Sequence, residues 1–105
     1  MRDEGGVGSL EVGVSVALHG DLTFETADRW HDVARLALDS HPSKVIVDLD
    51  EVTFLDSSGM YVLVLLRRHA EELGVAMDVV NVPDNVLLAL RTAELVDYLG
   101  VTTSV

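Results

Sequence analysis

The sequence has 105 residues, is 49% hydrophobic and carries a formal net charge of −11 at pH 7. This length suits one domain, and the apolar content supports a folded core, which excludes a disordered tail. Lys and Arg number 7 against 18 for Asp and Glu, which argues against binding to the phosphates of DNA or RNA. The chain has no cysteine, so disulfides, thiolate zinc sites and catalytic thiols are excluded.

Neither a membrane span nor a signal peptide is predicted. The longest unbroken apolar run, residues 60–66, is far shorter than the ~20 residues that cross a bilayer. The first ten residues, "MRDEGGVGSL", contain acids and glycines where a signal peptide has basic and then apolar residues. We therefore expect a cytoplasmic protein, with residues 1–9 as a loosely held N-terminal arm.

The first half of the chain predicts strands and one helix. Apolar residues alternate along "LEVGVSVALHG" (10–20), which predicts one or two strands with a break near Gly13. Apolar residues then recur at helical spacing from Thr26, and this helix ends before Pro42, which cannot continue it. The β-branched segment "KVIVDL" (44–49) predicts the next strand.

The second half continues the alternation of helix and strand. A second helix is predicted from Ser57 to Leu73, with Gly74 as the residue that ends it. The segment "VAMDVVNV" (75–82) predicts a strand, Pro83 opens a third helix, and "YLGVTTSV" (98–105) predicts an edge strand. This order, without repeats or a low-complexity linker, predicts a single α/β domain over the whole chain.

The segment "FLDSSGM" (54–60) places two serines at the predicted start of the second helix. The Ser57 hydroxyl could accept a hydrogen bond from a free N–H group of the first turn, as a helix cap. The same N–H groups and the helix dipole would also favour a phosphate on this serine. Residue chemistry alone favours the cap, because caps are far commoner than phosphorylation sites.

No catalytic or metal site stands out. The sequence around Ser57 lacks the G-x-S-x-G pattern of serine hydrolases, and no histidine has a spacing that marks it as a catalytic base. The histidines are also too irregularly spaced for a metal motif; they are His19, His31, His41 and His69.

One alternative is a phosphatase. "VIVDLDEV" is similar to the D-x-D signature of haloacid dehalogenase-type phosphatases, in which Asp48 would be the nucleophile and Asp50 the general acid around one Mg²⁺. Two carboxylates at the end of a strand can share such a cation. Little chain remains for that family's other motifs and no lysine follows Lys44, so a solvated pair of aspartates is favoured.

Three segments together resemble the STAS domain, and most closely the small bacterial anti-sigma factor antagonists. They are "LHGDLTFETA", "VIVDLDEVTFLDSSGMYVLVLL" and "GVAMDVVNVPDNVLLALRTAELVDYLGV", and the resemblance covers residues 10–101. It implies a small mixed sheet of four to five strands with helices packed mainly on one face. The most specific part is "DLDEVTFLDSSG".

The resemblance also implies a function. Such proteins are not enzymes and need no cofactor. They bind an anti-sigma factor with serine kinase activity, which phosphorylates the first hydroxyl of the D-S-S/T-G motif and thereby releases the antagonist, and a PP2C-type phosphatase reverses this. The motif maps onto Asp56, Ser57, Ser58 and Gly59, with Ser57 as the acceptor and Ser58 as support for the turn. A STAS scaffold or ligand-sensing subunit that is not phosphorylated is the alternative.

The partner is expected to cover the surface around Ser57, including Asp21, Thr23 and Met60. Whether Met60 and its neighbour Tyr61 are exposed contacts or core residues stays open at this stage. Two positions depart from the family pattern. Thr23 stands where an acid is usual, and "AEL" stands where many members have "TGL", which places Glu94 at the glycine position.

Overall fold

A computed structural model describes residues 13–102, which form a three-stranded sheet and four helices. The strands are β1 (Gly13–Leu22), β2 (Lys44–Leu55) and β3 (Ala76–Val80), all parallel and in that order. The helices are α1 (Ala27–Asp39), α2 (Ser57–Leu73), α3 (Asp84–Thr92) and α4 (Val96–Leu99). Among them, none is long and apolar enough to cross a membrane.

The core lies between the helices and one face of the sheet. Along β2, Val45, Val47 and Leu49 are buried while the residues between them are only half-buried, as expected when one sheet face is covered. The helices contribute buried residues at helical spacing, including Trp30, Ala34 and Leu38 from α1 and Val62, Leu63, Leu66 and Ala70 from α2. Helices on one face of an α/β sheet agree with the prediction.

Strand β2 is longer than the segment 44–49 predicted from its β-branched residues. It continues to Leu55, and its pairing with β1 shifts register at two points, between Ala17 and His19 and between Gly20 and Asp21. These irregularities interrupt the two-residue alternation that identifies a strand in sequence. They also leave Leu22 directly opposite Leu55, so β1 and β2 end side by side.

The part of the sheet that the structure describes has fewer strands than the prediction, and they are all parallel. Within residues 13–102 it has three parallel strands, where four to five in a mixed sheet were expected. The predicted strand at 98–105 is wrong at its start, because residues 96–99 form the one-turn helix α4, which ends at Gly100 with φ of 72°. After it, among the described residues, Val101 forms an isolated bridge to Val79. The predicted break near Gly13 and the arm at 1–9 fall at or outside the limit of the described residues.

Helix α2 agrees with the sequence at both ends. It begins at Ser57 and ends at Leu73, and Gly74 follows in the left-handed conformation, with φ of 72°. The Gly74 N–H group donates to the carbonyl groups of Ala70 and Glu71, which satisfies carbonyls at the end of the helix. Because β2 ends at Leu55, opposite Leu22, α2 begins at the carboxyl edge of the sheet, next to the end of β1.

Candidate functional site

Asp56 caps helix α2. Its backbone is extended, with φ of −104° and ψ of −172°, and its Oδ1 atom accepts a hydrogen bond of 3.0 Å from the Gly59 N–H group. The prediction that Ser57 caps this helix is therefore wrong. Ser57 is already the first helical residue, and a capping side chain must come from the extended residue before it.

Asp56 also joins the start of α2 to the loop that follows β1. Its Oδ2 atom accepts from the Phe24 N–H group at 3.4 Å, and its own N–H group donates to the Leu22 carbonyl at 3.2 Å. One side chain thus satisfies the first turn of the helix and contacts the neighbouring loop. These contacts hold residues 23–24 beside Ser57.

Gly59 lies where no other residue fits without a shift of the backbone. A Cβ atom at this position would come within 2.3 Å of the Leu22 carbonyl oxygen and 2.8 Å of a Leu55 side-chain carbon. The absence of a side chain lets the first turn of α2 approach the end of β1. The glycine of the "DSSG" segment therefore has a packing role.

Ser57 and Ser58 line an open groove between α1 and α2. Ser57 is exposed and Ser58 is half-buried, and within residues 13–102 neither hydroxyl has a hydrogen-bond partner. The groove has a volume of about 650 Å³ and is also lined by Phe24 and Tyr61, which are 82% and 58% exposed. Two large aromatic side chains thus stand open to solvent in the same groove as the serines.

The predicted partner residues take different positions. The exposed Asp21 accepts a hydrogen bond of 2.6 Å from the Thr53 hydroxyl. Half-buried Thr23 donates its N–H group to the Thr26 hydroxyl at 3.0 Å, which stabilises the loop before α1. Met60 is half-buried against the core, whereas Tyr61 is exposed. Thr23 and Met60 are the sequence neighbours of Phe24 and Gly59, whose N–H groups donate to the Asp56 carboxylate.

Sequence reasoning left Phe24 outside the candidate site and Tyr61 undecided. Phe24 lies in the loop between β1 and α1, where no periodicity indicates which side chains are buried. Tyr61 lies in an apolar run in which almost every position resembles core. The available signal was helical spacing. Tyr61 is one residue before the buried pair Val62 and Leu63, so its side chain points away from the core side of the helix.

Glu94 occupies a left-handed backbone position, with φ of 60°. It lies in the turn after α3, where its N–H group donates to the Arg91 carbonyl at 3.0 Å and the Leu95 N–H group donates to the Leu90 carbonyl at 2.9 Å. Glycine adopts this conformation without strain. Both hydrogen bonds of the turn form although the residue is glutamate. The left-handed backbone conformation explains why glycine suits this position.

Asp48 and Asp50 do not meet the geometry assumed for a phosphatase. They do not lie at the end of a strand, because β2 continues to Leu55. The Asp48 Oδ1 atom accepts from the Asp50 N–H group at 2.9 Å and from the Asn81 side-chain amide at 3.3 Å. Across residues 13–102, no group of three or more His, Cys, Asp or Glu could hold a metal ion. The strand-end premise of this alternative is wrong.

Residues 7–105 match the protein family described as "STAS domain". The chain belongs to the STAS domain family. Since the match spans nearly the whole sequence, the resemblance carried by the "DSSG" region and the flanking segments is confirmed at the level of the family. A comparison with curated protein sequences found no match.

Several solved structures share the fold of this chain. The anti-sigma factor antagonist SpoIIAA in its unphosphorylated form has a TM-score of 0.73 at 17% identity, over 90% of this chain and 82% of that one. A sulfate transporter family protein from Wolinella succinogenes gives 0.73 at 24%, over 93% and 83%. The SulP transporter STAS domain from Vibrio cholerae gives 0.67 at 24%, over 86% and 69%. At these identities the likeness concerns the fold alone, and it confirms the predicted α/β STAS fold.

Proposed function

We propose that this STAS domain is an anti-sigma factor antagonist that is switched off by phosphorylation of Ser57. One observation carries the proposal. In the "DSSG" segment Asp56 caps the helix and Gly59 permits close packing, whereas Ser57 is exposed and has no bonded partner among the described residues. An exposed hydroxyl without a structural role, on a turn held by Asp56 and Gly59, is suited to modification.

Ser57 meets the needs of a phosphoryl acceptor. A kinase partner would transfer the γ-phosphoryl group of ATP to the Ser57 hydroxyl oxygen, releasing ADP and the hydroxyl proton, and this requires an accessible hydroxyl. Ser57 is exposed, whereas Ser58 is half-buried. The N–H groups and dipole of α2 would stabilise the phosphate by about 0.3–1 kcal/mol within the monomer. The fold should therefore tolerate the modification.

The same charge would oppose partner binding. A phosphate adds about −1.5 to −2 charges at neutral pH, next to Asp56 and in a groove also lined by Glu25 and Asp28. In a complex it would be desolvated beside these acids, which costs several kcal/mol unless the partner supplies Arg or Lys. The phosphorylated chain would thus bind the anti-sigma factor only weakly, and a PP2C-type phosphatase would restore binding.

A STAS scaffold or ligand-sensing module that is not phosphorylated is the second candidate, supported by the fold similarity to a sulfate transporter family protein, whose TM-score equals that of the antagonist SpoIIAA. Phosphatase activity is disfavoured because Asp48 and Asp50 lie within β2 and not at its end. We expect no Mg²⁺-dependent turnover of a generic phosphoester by the wild-type chain or by Asp48→Asn.

The test is a displacement assay with the ATP-binding anti-sigma factors and sigma factors of the source genome. The wild-type chain should displace sigma factor from one of these complexes, and Ser57→Asp should displace it poorly. If the wild-type chain displaces no sigma factor and stays unmodified with ATP, the proposal is contradicted and the scaffold is favoured.

A further inference from the structure

The groove beside Ser57 continues along both helices. His31 and Leu65 line this groove and also a depression of about 200 Å³ that adjoins it. The lining residues recur three and four positions apart, as Asp28, His31 and Arg35 on α1 and as Ser58, Tyr61, Leu65, Arg68 and Glu72 on α2. Two adjacent stripes with this spacing form a surface into which the ridges of a third helix can pack.

The middle of this α1–α2 groove is mostly apolar, with His31 as its polar residue. Tyr61 and Phe24 are largely exposed on its walls, and Leu65 lies half-buried between them and the far end. Exposed aromatic side chains in a groove are typical anchors of protein interfaces. Helix α1, with 13 residues, is about 20 Å long, which matches three to four turns of a docked helix.

The two ends of the groove differ in charge. The end beside Ser57 is acidic, since Glu25 and Asp28 line it. Arg35, Arg68 and His69 lie at the far end together with Glu72. His69 is bonded to Asp39 at 2.9 Å, a hydrogen bond that lowers the pKa of Asp39, and Arg35 lies 3.9 Å from the same carboxylate. Within residues 13–102, Arg68 has no recorded ion pair.

We propose that the α1–α2 groove binds an amphipathic helix of the anti-sigma factor, with the basic C-terminal end of that helix beside Ser57 and its acidic end beside Arg68. The inference rests on the proposed function. Natural helices favour acids in the first turn and bases in the last, so a helix antiparallel to α2 matches the charge order of the groove. A second copy of this chain is the poorer occupant, because a net charge of −11 on each copy repels.

The test measures the affinity of the purified kinase-type anti-sigma factor for matched pairs of variants. Tyr61→Ala and Arg68→Glu alter the groove. As controls outside the groove, Leu88→Ala changes a leucine that is 66% exposed, close to the 58% of Tyr61, and Arg91→Glu changes an exposed arginine. We expect Tyr61→Ala to weaken binding about tenfold or more, as for an aromatic anchor, Arg68→Glu to weaken it several-fold, and both controls to bind like the wild type. Circular dichroism should show all four variants folded.

Ser57→Asp separates this inference from the proposed function. If Ser57→Asp loses affinity but Tyr61→Ala and Arg68→Glu bind like the wild type, the helix site is wrong and the switch stands. If none of the three loses affinity, both are wrong. A benzophenone cross-linker at position 65 should react with a helical segment of the partner. Reaction with an extended segment, or a dimer of this chain in sedimentation that Tyr61→Ala dissociates, would overturn the proposed occupant.

Discussion

Gly59 and Leu22 approach so closely that a single added methyl group at position 59 would lie 2.3 Å from the Leu22 carbonyl oxygen. This contact places the first turn of α2 directly on the end of β1. Because Phe24 follows Leu22 by two residues and is bonded to Asp56, the same contact fixes where Ser57 stands relative to the loop after β1.

Gly59→Ala should therefore destabilise the fold, although alanine is the better helix former. The carbonyl of Leu22 belongs to the backbone and cannot rotate away, so we expect a loss of about 1–3 kcal/mol in the free energy of unfolding. Urea denaturation measures it. Gly13→Ala is the control, since its nearest contact would be 3.4 Å. Equal stability of the two variants would show that α2 is not held by this contact.

Substitutions of Asp56 and Ser57 should differ in their effect on the stability of the fold. Asp56→Ala removes the cap and should cost about 1 kcal/mol, whereas Asp56→Asn keeps an acceptor and should cost less. Ser57→Ala removes a hydroxyl without a partner in the described structure and should change stability by less than about 0.5 kcal/mol. Thermal unfolding of the three variants checks this. A larger loss of stability for Ser57→Ala than for Asp56→Ala would show that Ser57 is the cap after all.

Much of the fold follows from local signals in the sequence. The bounds of α2 were predictable because polar residues and Gly74 mark its two ends. The full length of β2 was not, because its register shifts break the alternation that identifies a strand. Helix α4 was also missed, since four residues, of which only Leu99 is buried, are too few for a helical period to appear.

The candidate site was predicted only in part. Ser57 was indicated as the phosphorylation site by the family resemblance, whereas its residue type alone favoured a helix cap. That Asp56 holds this role depends on which residue is the last extended one, and this is decided by the three-dimensional junction. The exposure of Phe24 depends on loop packing, which sequence periodicity does not report.

Substitutions of Met60 and Tyr61 should have different effects, the first on stability and the second on partner binding. Met60→Asp places a charge against the core and should lower the free energy of unfolding by about 1–3 kcal/mol. Tyr61→Asp changes an exposed side chain, so its melting temperature should stay within a few degrees of the wild type while affinity for the anti-sigma factor falls. An unchanged melting temperature for Met60→Asp would show that Met60 is instead freely exposed.

Glu94→Gly should stabilise the protein. The residue has φ of 60°, a conformation that costs an L-residue roughly 1 kcal/mol and glycine nearly nothing. Part of this gain is offset by the greater freedom of glycine in the unfolded chain, so we expect an increase of roughly 0.5 kcal/mol in the free energy of unfolding. Glu72→Gly, in the last turn of α2, is the control and should destabilise. A lower free energy of unfolding for Glu94→Gly would contradict this account of the turn.

The central claim concerns which serine carries the phosphate and what the phosphate does to binding. The most direct measurement is mass spectrometry of the chain after reaction with ATP and its anti-sigma factor, followed by titration of the purified phosphorylated form. We expect phosphate on Ser57, no modification of Ser57→Ala, continued modification of Ser58→Ala, and a loss of about 3–4 kcal/mol, or two to three orders of magnitude in affinity. Phosphate on Ser58, or a phosphorylated form that binds as tightly as the unmodified chain, would contradict the account.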